Sequence, residues 1–366
     1  MSEVTLIVGC YWSYRVKRIA VVGTVGIPAC YGGFESLVEN LTKYKSAGCQ
    51  YYIFCSSKNY PEKVHSHNGA KLIYVPLKAN GVQSILYDVL SLWKCLFLKV
   101  DTILILGVSG CIFLPLFRLV SKAKIITNID GLEWKREKWG YFVKQFLKLS
   151  EFLAVKYSHA VVTDNKAITD YVKKEYNVSS FTIAYGGDHA VRTSNDNTNV
   201  KLSYALGLCR IEPENNVELI LKAFSLSGDR LKFVGNWNAS SYGRMLKRNY
   251  SNYSNIELIE PIYDIDKLFI LRSGCDKYIH GHSAGGTNPS LVEMMHFGVP
   301  IFAFDCEFNR HSTDNKAFYF KDAQHLADLV KMIDTMELEK NACSMKVLAQ
   351  ENYTWQKITA SYESLY

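Results

Sequence analysis

Short apolar runs rich in β-branched and aromatic residues alternate with amphipathic stretches along most of the chain. Runs of this length bounded by turn residues predict strands, and their alternation with helical patterns is typical of parallel α/β units. In the first half, the predicted strands cover residues 18–23, 51–56, 71–76, 101–106, 123–128, 160–164 and 181–185. A second series covers residues 201–207, 231–235, 255–260, 275–281 and 299–305.

A polar stretch, HAVRTSNDNTNV (189–200), separates the two series and has the composition of a linker. We therefore predict two doubly wound α/β domains, residues 18–188 and 201–350. We also expect a C-terminal helix within residues 351–366 that packs back toward the first domain. Because ligands of such sheets bind beyond the carboxyl ends of the strands, the loops at those ends are where chemistry is expected.

The composition narrows the class of protein. With 366 residues, 48% of them hydrophobic, the chain can bury a large core. Its ten cysteines are scattered singly without a CxxC pair, so they predict neither a zinc site nor a disulfide framework, and they favour a reducing cytoplasmic interior. The sequence shows neither a secretory signal pattern nor an apolar run long enough to span a bilayer.

The formal net charge of +7 is unevenly distributed. Residues 1–190 hold 23 Lys and Arg against 14 Asp and Glu, whereas the remaining residues have a small acidic excess. This asymmetry indicates an anionic surface or ligand facing the first domain, although a solvated basic face explains it too. Two stretches combine basic and aromatic residues, and we favour 134–149 over 82–100, whose apolar stripe is typical of a core-facing helix.

A glycine pair, Gly32 and Gly33, directly precedes an amphipathic helix predicted to begin near Phe34. Glycines there let backbone N–H groups face an anion without a Cβ in the way, although an ordinary tight turn is the alternative. Gly23 and Gly26 do not complete a GxGxxG pattern, and no acid follows the second strand. The sequence therefore excludes a nicotinamide dinucleotide site.

The stretch GGTNPSLVE (285–293) also leads into a predicted helix. Asn288 is a strong N-cap residue and Pro289 suits the first helical position, so the free N–H groups of this helix are open to a phosphate. Glu293 lies one turn further along the same face, about 6 Å by helix rise, where a carboxylate can accept hydrogen bonds from a vicinal diol. A phosphate at the helix N-terminus and a diol at Glu293 match the diphosphate and the ribose of a nucleoside diphosphate. A solvated helix acid is the alternative for Glu293, but its apolar neighbours indicate a buried helix.

Three further motifs follow predicted strands. Arg210, in CRIEPENN (209–216), could grip a pyrophosphate bidentately, with a surface salt bridge as the alternative. Asp130, in NIDGLEWKREKWG (128–140), stands where an active-site residue is expected. The stretch YGGD (185–188) ends the last strand of the first domain.

These motifs resemble those of GT-B nucleotide-sugar glycosyltransferases of family 4, and in particular a rhamnosyltransferase-type subgroup of bacterial polysaccharide synthesis. The resemblance runs from about residue 18 to NYTWQKI near the C-terminus. It implies the GT-B fold, in which two Rossmann-like domains face a central cleft. It also implies a donor site in which Arg210 binds the pyrophosphate and Glu293 holds the ribose. The implied donor-binding set is Gly32, Gly33, Arg210, His282, Gly286, Thr287, Asn288 and Glu293, and the implied catalytic set is Asp130 and Arg210.

Two positions depart from the pattern common in that family. Gly285 stands where many members have a Glu that contacts the sugar, and Asn215 stands where they commonly have a Lys. We interpret both as divergence in donor choice. His282 flanks the cleft in this interpretation, but a structural histidine is an equally good explanation of that residue.

The implied reaction transfers a hexosyl group, with rhamnose as first choice and glucose or galactose next, from a nucleotide diphosphate sugar. The implied acceptor is a saccharide on a polyprenyl diphosphate, in O-antigen or capsule synthesis at the inner face of the membrane, and the implied stereochemistry is retaining. We expect no metal, no further cofactor and no nucleic-acid partner. The alternatives are a nucleotide-sugar epimerase of the same fold and a non-catalytic nucleotide-sugar-binding subunit. A glycosidase is disfavoured, because its two carboxylates must flank one bond.

Overall fold

The computed structural model describes residues 15–30, 32–81, 83–135, 139–192 and 202–366. Most of the predicted linker, and the basic residues Arg136 and Lys138 of the stretch 134–149, lie outside the described residues. None of the helices within the described ranges is long and apolar enough to cross a membrane.

The first domain is built on an eight-stranded sheet with the order β3-β4-β2-β1-β5-β6-β7-β8. All neighbours are parallel except β3 and β4, so connections must cross over the sheet. The seven predicted strands are all present, and only the short β3 was not predicted. The strands are β1 (Lys17–Val22), β2 (Cys49–Ser56), β3 (Ser66–His67), β4 (Ala70–Val75), β5 (Thr102–Leu106), β6 (Lys124–Asn128), β7 (Ala160–Thr163) and β8 (Phe181–Thr182).

The second domain has a six-stranded parallel sheet with the order β11-β10-β9-β12-β13-β14. Its five predicted strands are present, and β14 was not predicted. The strands are β9 (Ala205–Leu208), β10 (Leu231–Val234), β11 (Ile256–Ile259), β12 (Lys277–His280), β13 (Ile301–Phe304) and β14 (Phe318–Phe320).

Helices cover both faces of both sheets. Those of the first domain are α1 (Gly33–Lys43), α2 (Gln83–Cys95), α3 (Leu114–Val120), α4 (Tyr141–Tyr157) and α5 (Lys166–Tyr176). Those that follow are α6 (Val217–Ser227), α7 (Ser241–Tyr250), α8 (Ile265–Gly274), α9 (Pro289–His296), α10 (Glu307–Ser312), α11 (Ala323–Met332), α12 (Thr335–Asn352) and α13 (Trp355–Ser364). Short 3₁₀ segments cover Cys111–Phe113, Glu133–Lys135, Asp188–Ala190 and Pro213–Asn215.

Alternate side chains of the central strands are buried on opposite faces of the sheet. In β1, Ile19 and Val21 pack with α1 and α13, whereas Ala20 and Val22 pack with α2 to α5. Because both faces are covered, these strands are continuous apolar runs, as expected for a parallel sheet. The core on the α1 side continues into the second domain through residues of α9 such as Leu291, so a single apolar cluster crosses the domain junction.

The C-terminal helix α13 packs on the first domain, although it follows the second domain in sequence. The Tyr362 hydroxyl accepts a hydrogen bond from Asn128 Nδ2 at 2.8 Å, at the end of β6. The Tyr366 and Tyr51 hydroxyls lie 3.1 Å apart, and the Lys17 ammonium donates to the Tyr366 carbonyl at 2.7 Å. The last residues of the chain therefore tie the two domains together.

We expect Tyr362→Ala to lower the free energy of unfolding by about 3–5 kcal/mol, because it empties a fully buried aromatic site between α13 and the first sheet. Tyr362→Phe keeps the ring and removes only the acceptor of Asn128, so it should cost about 1–3 kcal/mol. Urea unfolding of both variants measures the difference. If both variants lost the same free energy of unfolding, packing of the Tyr362 ring would not be what stabilises this contact.

Candidate functional site

The N-termini of two helices from different domains meet across the cleft. Helix α1 begins at Gly33, after Gly32 in the left-handed region at φ 57°. A Cβ added to Gly33 would lie 3.6 Å from Pro289 Cγ, in the first residue of α9. The positive ends of both helix dipoles therefore face the same part of the cleft, where an anion is favoured.

A buried acid that the sequence did not single out holds the loop before α1. The Glu35 carboxylate accepts hydrogen bonds from the Thr24 hydroxyl at 2.8 Å and from the Val25 N–H at 2.7 Å. Glu35 is buried, and its Oε2 would lie 3.2 Å from a Cβ on Gly32. The signal that could have indicated it is an acid in the first turn of a helix that follows a glycine pair.

Asp130 lies where β6 ends, as predicted, in the left-handed region at φ 61°. Its N–H donates to the Asn128 side-chain oxygen at 3.0 Å, and its carboxylate is half-buried. The next residue, Gly131, allows a close approach between the domains, because a Cβ there would lie 2.8 Å from the Gly285 Cα. Asp130 therefore stands directly beside the loop of the second domain that precedes α9.

Gly286 and Thr287 take part in the contact between the domains. The Thr287 hydroxyl donates to the Asp164 carbonyl at 2.6 Å, and Asn165 Nδ2 donates to the same hydroxyl at 3.2 Å. Asn165 also donates to the Phe308 carbonyl at 3.1 Å. A Cβ on Gly286 would overlap the Asp164 carboxylate. Sequence reasoning predicted Gly286 and Thr287 as donor-binding residues, and the structure places the Thr287 hydroxyl in a hydrogen bond across the domain interface.

Asn288 caps α9 as predicted, because its side-chain oxygen accepts from the Ser290 N–H at 3.0 Å. Pro289 occupies the first helical position. The Ser290 N–H is bonded by this cap, and the Asn288 carbonyl accepts from the Leu291 and Val292 N–H groups at 3.1 and 3.3 Å. The expectation of free N–H groups in the first turn of α9 is therefore wrong, and the turn presents only the positive end of the helix dipole to the cleft.

Glu293 has the partners that a buried acid requires. Its Oε2 accepts from Arg272 Nη2, and its Oε1 lies 3.3 Å from His189 Nε2. Burial alone would raise the pKa of this carboxyl, but the Arg272 guanidinium and then the His189 ring hold the pKa below its ordinary value. With 12% of its side chain exposed, Glu293 is a carboxylate at neutral pH with accessible lone pairs.

Sequence reasoning did not identify Arg272 or His189. Arg272 lies in the last turn of α8 and is buried, an unusual environment for an arginine unless an acid pairs with it. His189 directly follows the YGGD stretch at the domain junction. Both are distant from Glu293 in sequence, and only the packing of α8 and of the junction against α9 brings them together.

Arg210 and His282 are connected through Asn215. Asn215 Nδ2 donates to the Arg210 carbonyl at 2.8 Å, and its side-chain oxygen lies 2.7 Å from His282 Nδ1. The buried Asn215 thus supports the loop that carries Arg210, in place of adding a charge to the site. The Arg210 side chain itself is 55% exposed and lies 3.6 Å from Glu212 Oε1, a contact that contributes little by itself.

His280 and His282 are both buried, with ring centres 5.9 Å apart. Burial, and then the neighbouring His282, lowers the pKa of His280 well below its ordinary value, so His280 is neutral at physiological pH. His282 also anchors the next segment, because its carbonyl accepts from Asn309 Nδ2 at 2.8 Å. Within the described ranges, no group of three or more His, Cys, Asp or Glu side chains has the geometry of a metal site.

Comparison with solved structures shows which fold this is. Sucrose-phosphate synthase from Thermosynechococcus elongatus superimposes with a TM-score of 0.81 at 15% identity, covering 96% of this chain and 98% of that chain. A glycosyltransferase from Rickettsia africae gives a TM-score of 0.71 at 14% identity, with coverage of 96% and 98%. HepE of Anabaena, solved with UDP and glucose, gives a TM-score of 0.71 at 13% identity, with coverage of 95% and 98%. The chain therefore has the GT-B fold, as the sequence analysis expected.

Sequence comparisons are less informative. Residues 16–188 match the model of a domain of unknown function, DUF1972, which covers the first domain. Comparison with curated protein sequences finds no match.

Asp164, at the end of β7, is a second buried acid in the cleft, and its environment differs from that of Glu293. Burial, and then the nearby Asp130 carboxylate, raises its pKa well above the ordinary value. Within the described part of the chain, its Oδ1 has no hydrogen-bond partner. The native protein therefore keeps a proton on Asp164 at a pH where the unfolded chain, with a pKa of about 3.9, has lost it.

We expect Asp164 to make the protein less stable as the pH rises above about 4, because the native state then binds one proton more than the unfolded state. Asp164→Asn should remove this loss, so that the variant gains stability relative to the parent between pH 5 and pH 8. Urea unfolding at several pH values measures the effect. Asp170→Asn, at an exposed position of α5, is the matched control and should keep the pH dependence of the parent. Parallel pH profiles of the parent and Asp164→Asn would contradict the prediction.

Proposed function

We propose that this protein is a retaining glycosyltransferase that moves a hexosyl group from a nucleotide diphosphate sugar to a lipid-linked saccharide. The observation that carries the proposal is the convergence of two helix N-termini on one cleft, with a paired buried carboxylate one turn into the second helix. The glycine loop at Gly32 and Gly33 offers N–H groups to a diphosphate, and the first turn of α9 adds the positive end of its dipole.

In this proposal the donor lies along α9. The ribose hydroxyls donate to the free lone pairs of Glu293, whose charge is maintained by Arg272 and His189. The diphosphate lies at the N-terminus of α9, near Asn288 and the backbone of Gly286 and Thr287. His282 holds the adjacent loop and lies close to the sugar end of the donor.

Catalysis requires that negative charge on the departing diphosphate be stabilised more strongly in the transition state than in the ground state. The exposed Arg210 guanidinium can reach a phosphate by exchanging its weak contact with Glu212. Together with the N–H groups at the start of α1 and the dipole of α9 it supplies this charge stabilisation, and the departing phosphate can accept the proton of the attacking hydroxyl. Asp130, opposite Gly285, orients a hydroxyl group of the sugar or acceptor.

The ligands of a solved structure and the resemblance of the motifs both bear on the identity of the sugar. HepE of Anabaena, which has the same fold, was solved with UDP and glucose and also with UDP-glucose, so a nucleotide-sugar ligand fits this fold. Rhamnose remains our first choice, because the motifs resemble the rhamnosyltransferase-type subgroup. Glucose and galactose follow.

The proposed acceptor is carried by a polyprenyl diphosphate in an anionic leaflet, and the first domain offers a surface for it. Helices α3 and α4 pack side by side on the same face of the first sheet. They expose large apolar side chains, including Leu119 at 81% and Phe142 at 86% exposure. Two exposed basic residues lie near Leu119 in sequence, Arg118 within α3 and Lys122 just after it. Apolar side chains beside basic ones suit a headgroup boundary, and each basic residue is worth about 1 kcal/mol there.

Lys148 does not belong to this surface, although it lies in the stretch 134–149 that the sequence analysis favoured. Its ammonium lies 4.6 Å from the ring centre of Trp134 and 4.9 Å from that of Tyr171, and it pairs with Glu175 at 2.9 Å. Trp134 Nε1 in turn donates to the buried Glu151 at 3.1 Å. Lys148 therefore stabilises the fold of the segment after β6, and its replacement is no test of membrane binding.

A panel of nucleotide diphosphate sugars, assayed for donor hydrolysis and for transfer to polyprenyl-diphosphate saccharides, tests the proposed function. Transfer to an acceptor supports it. Conversion of the donor alone to an isomer would identify an epimerase instead. Donor binding without turnover on any acceptor would identify a non-catalytic subunit.

We expect Arg210→Ala to lower turnover by about 10²–10³-fold, because it removes a charge that stabilises the departing diphosphate. Glu293→Ala should chiefly weaken the binding of donor and free nucleoside diphosphate. Steady-state kinetics and calorimetric titration separate these effects. Parent-like turnover in both variants would place the donor site elsewhere.

We expect the protein to co-sediment with vesicles that contain anionic phospholipid at low salt, and to be released at high salt as the charges are screened. Leu119→Glu combined with Phe142→Glu should abolish sedimentation, because it places charges on the exposed apolar face of α3 and α4. Ile270→Glu, at a position 68% exposed in α8 of the second domain, is the matched control and should bind like the parent. Equal sedimentation with purely zwitterionic vesicles would argue against an anionic partner.

A further inference from the structure

A chain of two hydrogen bonds runs from the C-terminal helix to the acid in α9. Trp355, the first residue of α13, donates its indole N–H to His189 Nδ1 at 2.8 Å. On the other side of the same ring, His189 Nε2 lies 3.3 Å from Glu293 Oε1. The histidine thus joins a residue of the C-terminal segment to a carboxylate of the second domain.

The chemistry of the indole determines which nitrogen of His189 carries the proton. An indole N–H can only donate, so Nδ1 must accept and cannot be protonated while this bond persists. The proton of the neutral ring is therefore on Nε2, which faces the Glu293 carboxylate and can donate to it. In the opposite tautomer, the Nδ1 proton would face the indole N–H, which is also a donor. The bare Nε2 would face the Glu293 carboxylate, which is also an acceptor.

The surrounding backbone holds Trp355 and His189 in this relation. The Trp355 N–H donates to Asp188 Oδ1 at 2.8 Å, and the Gly187 N–H donates to the Tyr353 carbonyl at 2.8 Å. A Cβ on Gly186 would lie 2.6 Å from the Trp355 ring, so only glycine permits this packing. Trp355 is fully buried, and its ring meets that of His189 edge to face at 5.8 Å.

We propose that His189 is a positioning residue for Glu293, and that Trp355 sets the His189 tautomer that this role requires. Arg272 holds one oxygen of the Glu293 carboxylate and His189 holds the other, so the plane of the carboxylate is determined and its remaining lone pairs face a bound diol. The inference rests on the proposed function in one respect, that Glu293 binds the ribose of a nucleotide.

A consequence is that donor binding depends on the C-terminal helix. Helix α13 packs on the first domain, whereas Glu293 belongs to the second. The Trp355–His189 pair lies at the junction between them, so a displacement of α13 would release the His189 ring and the orientation of Glu293 with it.

Three variants test this role. His189→Leu removes both nitrogens, whereas His189→Gln retains an N–H donor that can reach Glu293. Trp355→Phe keeps an aromatic ring and removes the indole donor that sets the tautomer. Trp237→Phe is the matched control, because it also removes a buried indole N–H, one that donates to the Ile259 carbonyl at 2.9 Å in the second domain.

The first readout is independent of any ligand. Nitrogen-15 NMR of histidine-labelled protein distinguishes a protonated Nε2 from a protonated Nδ1, and the signal of His189 is assigned by its absence in His189→Gln. We expect a protonated Nε2 and an unprotonated Nδ1 in the parent and in Trp237→Phe, and loss of that preference in Trp355→Phe. A protonated Nδ1 in the parent would overturn the inference.

The second readout is calorimetric titration with UDP, dTDP, GDP and ADP, continued with whichever binds the parent. We expect about tenfold weaker binding in His189→Leu and in Trp355→Phe, as for loss of a hydrogen bond to a charged group, and near-parent binding in His189→Gln and Trp237→Phe. Parent-like binding in His189→Leu, or equally weak binding in His189→Gln, would overturn the positioning role. If the parent binds none of the four nucleotides, the proposed donor site fails, while the NMR measurement still decides the tautomer.

Discussion

The close approach of two backbones across the cleft is the constraint on which the rest of this site depends. The loop after β6 and the loop before α9 meet at Gly131 and Gly285, and α1 begins against Pro289 at Gly33. A side chain at Gly131 would collide with the other domain, and one at Gly286 would overlap Asp164. Glycine at these positions lets the ends of two parallel sheets come within van der Waals distance, so that groups from both domains can face one small ligand.

Glu293 and Asp164, two buried acids in this cleft, have pKa values shifted in opposite directions because their charged partners differ. Glu293 faces the Arg272 guanidinium and a histidine donor, which together outweigh its burial, so its pKa falls. Burial raises the pKa of Asp164, and the neighbouring Asp130 carboxylate raises it further. Two acids whose pKa values are shifted in opposite directions therefore lie on opposite sides of the same interface. The Glu293 carboxylate can accept hydrogen bonds from ligand hydroxyls. Burying Asp164 costs less free energy when it carries a proton than when it is charged.

The GT-B relatives share this architecture at 15% identity or less, which shows how little of the sequence the fold requires. The fold supplies two Rossmann-like sheets. The side chains on the loops that connect their strands and helices then specify the chemistry. In this chain the departures at Gly285 and Asn215 are both accommodated structurally. Gly285 has a φ of 112°, a conformation that favours glycine, and a Cβ there would lie 3.0 Å from His282 Nε2. Asn215 makes hydrogen bonds to the Arg210 carbonyl and the His282 ring.

The sequence by itself determined the local features of this protein. Alternating apolar runs indicated twelve of the fourteen described strands, because a strand buried on both faces must be apolar throughout. It missed β3 and β14, which are two and three residues long, and it predicted five residues for β8, which has two. It also indicated the cap at Asn288 and the proline after it, since both are decided within one turn of helix.

Only the tertiary structure decided which distant groups meet. The partners of Glu293 come from α8 and from the domain junction, and neither has a fixed spacing from it in sequence. Lys148 belonged to a basic and aromatic stretch that resembled a membrane-binding surface, yet folding places its ammonium among aromatic rings and beside Glu175. Periodicity specifies which side of an element is buried, but a charge is paired or exposed according to what packs against that side, and long-range packing alone determines this.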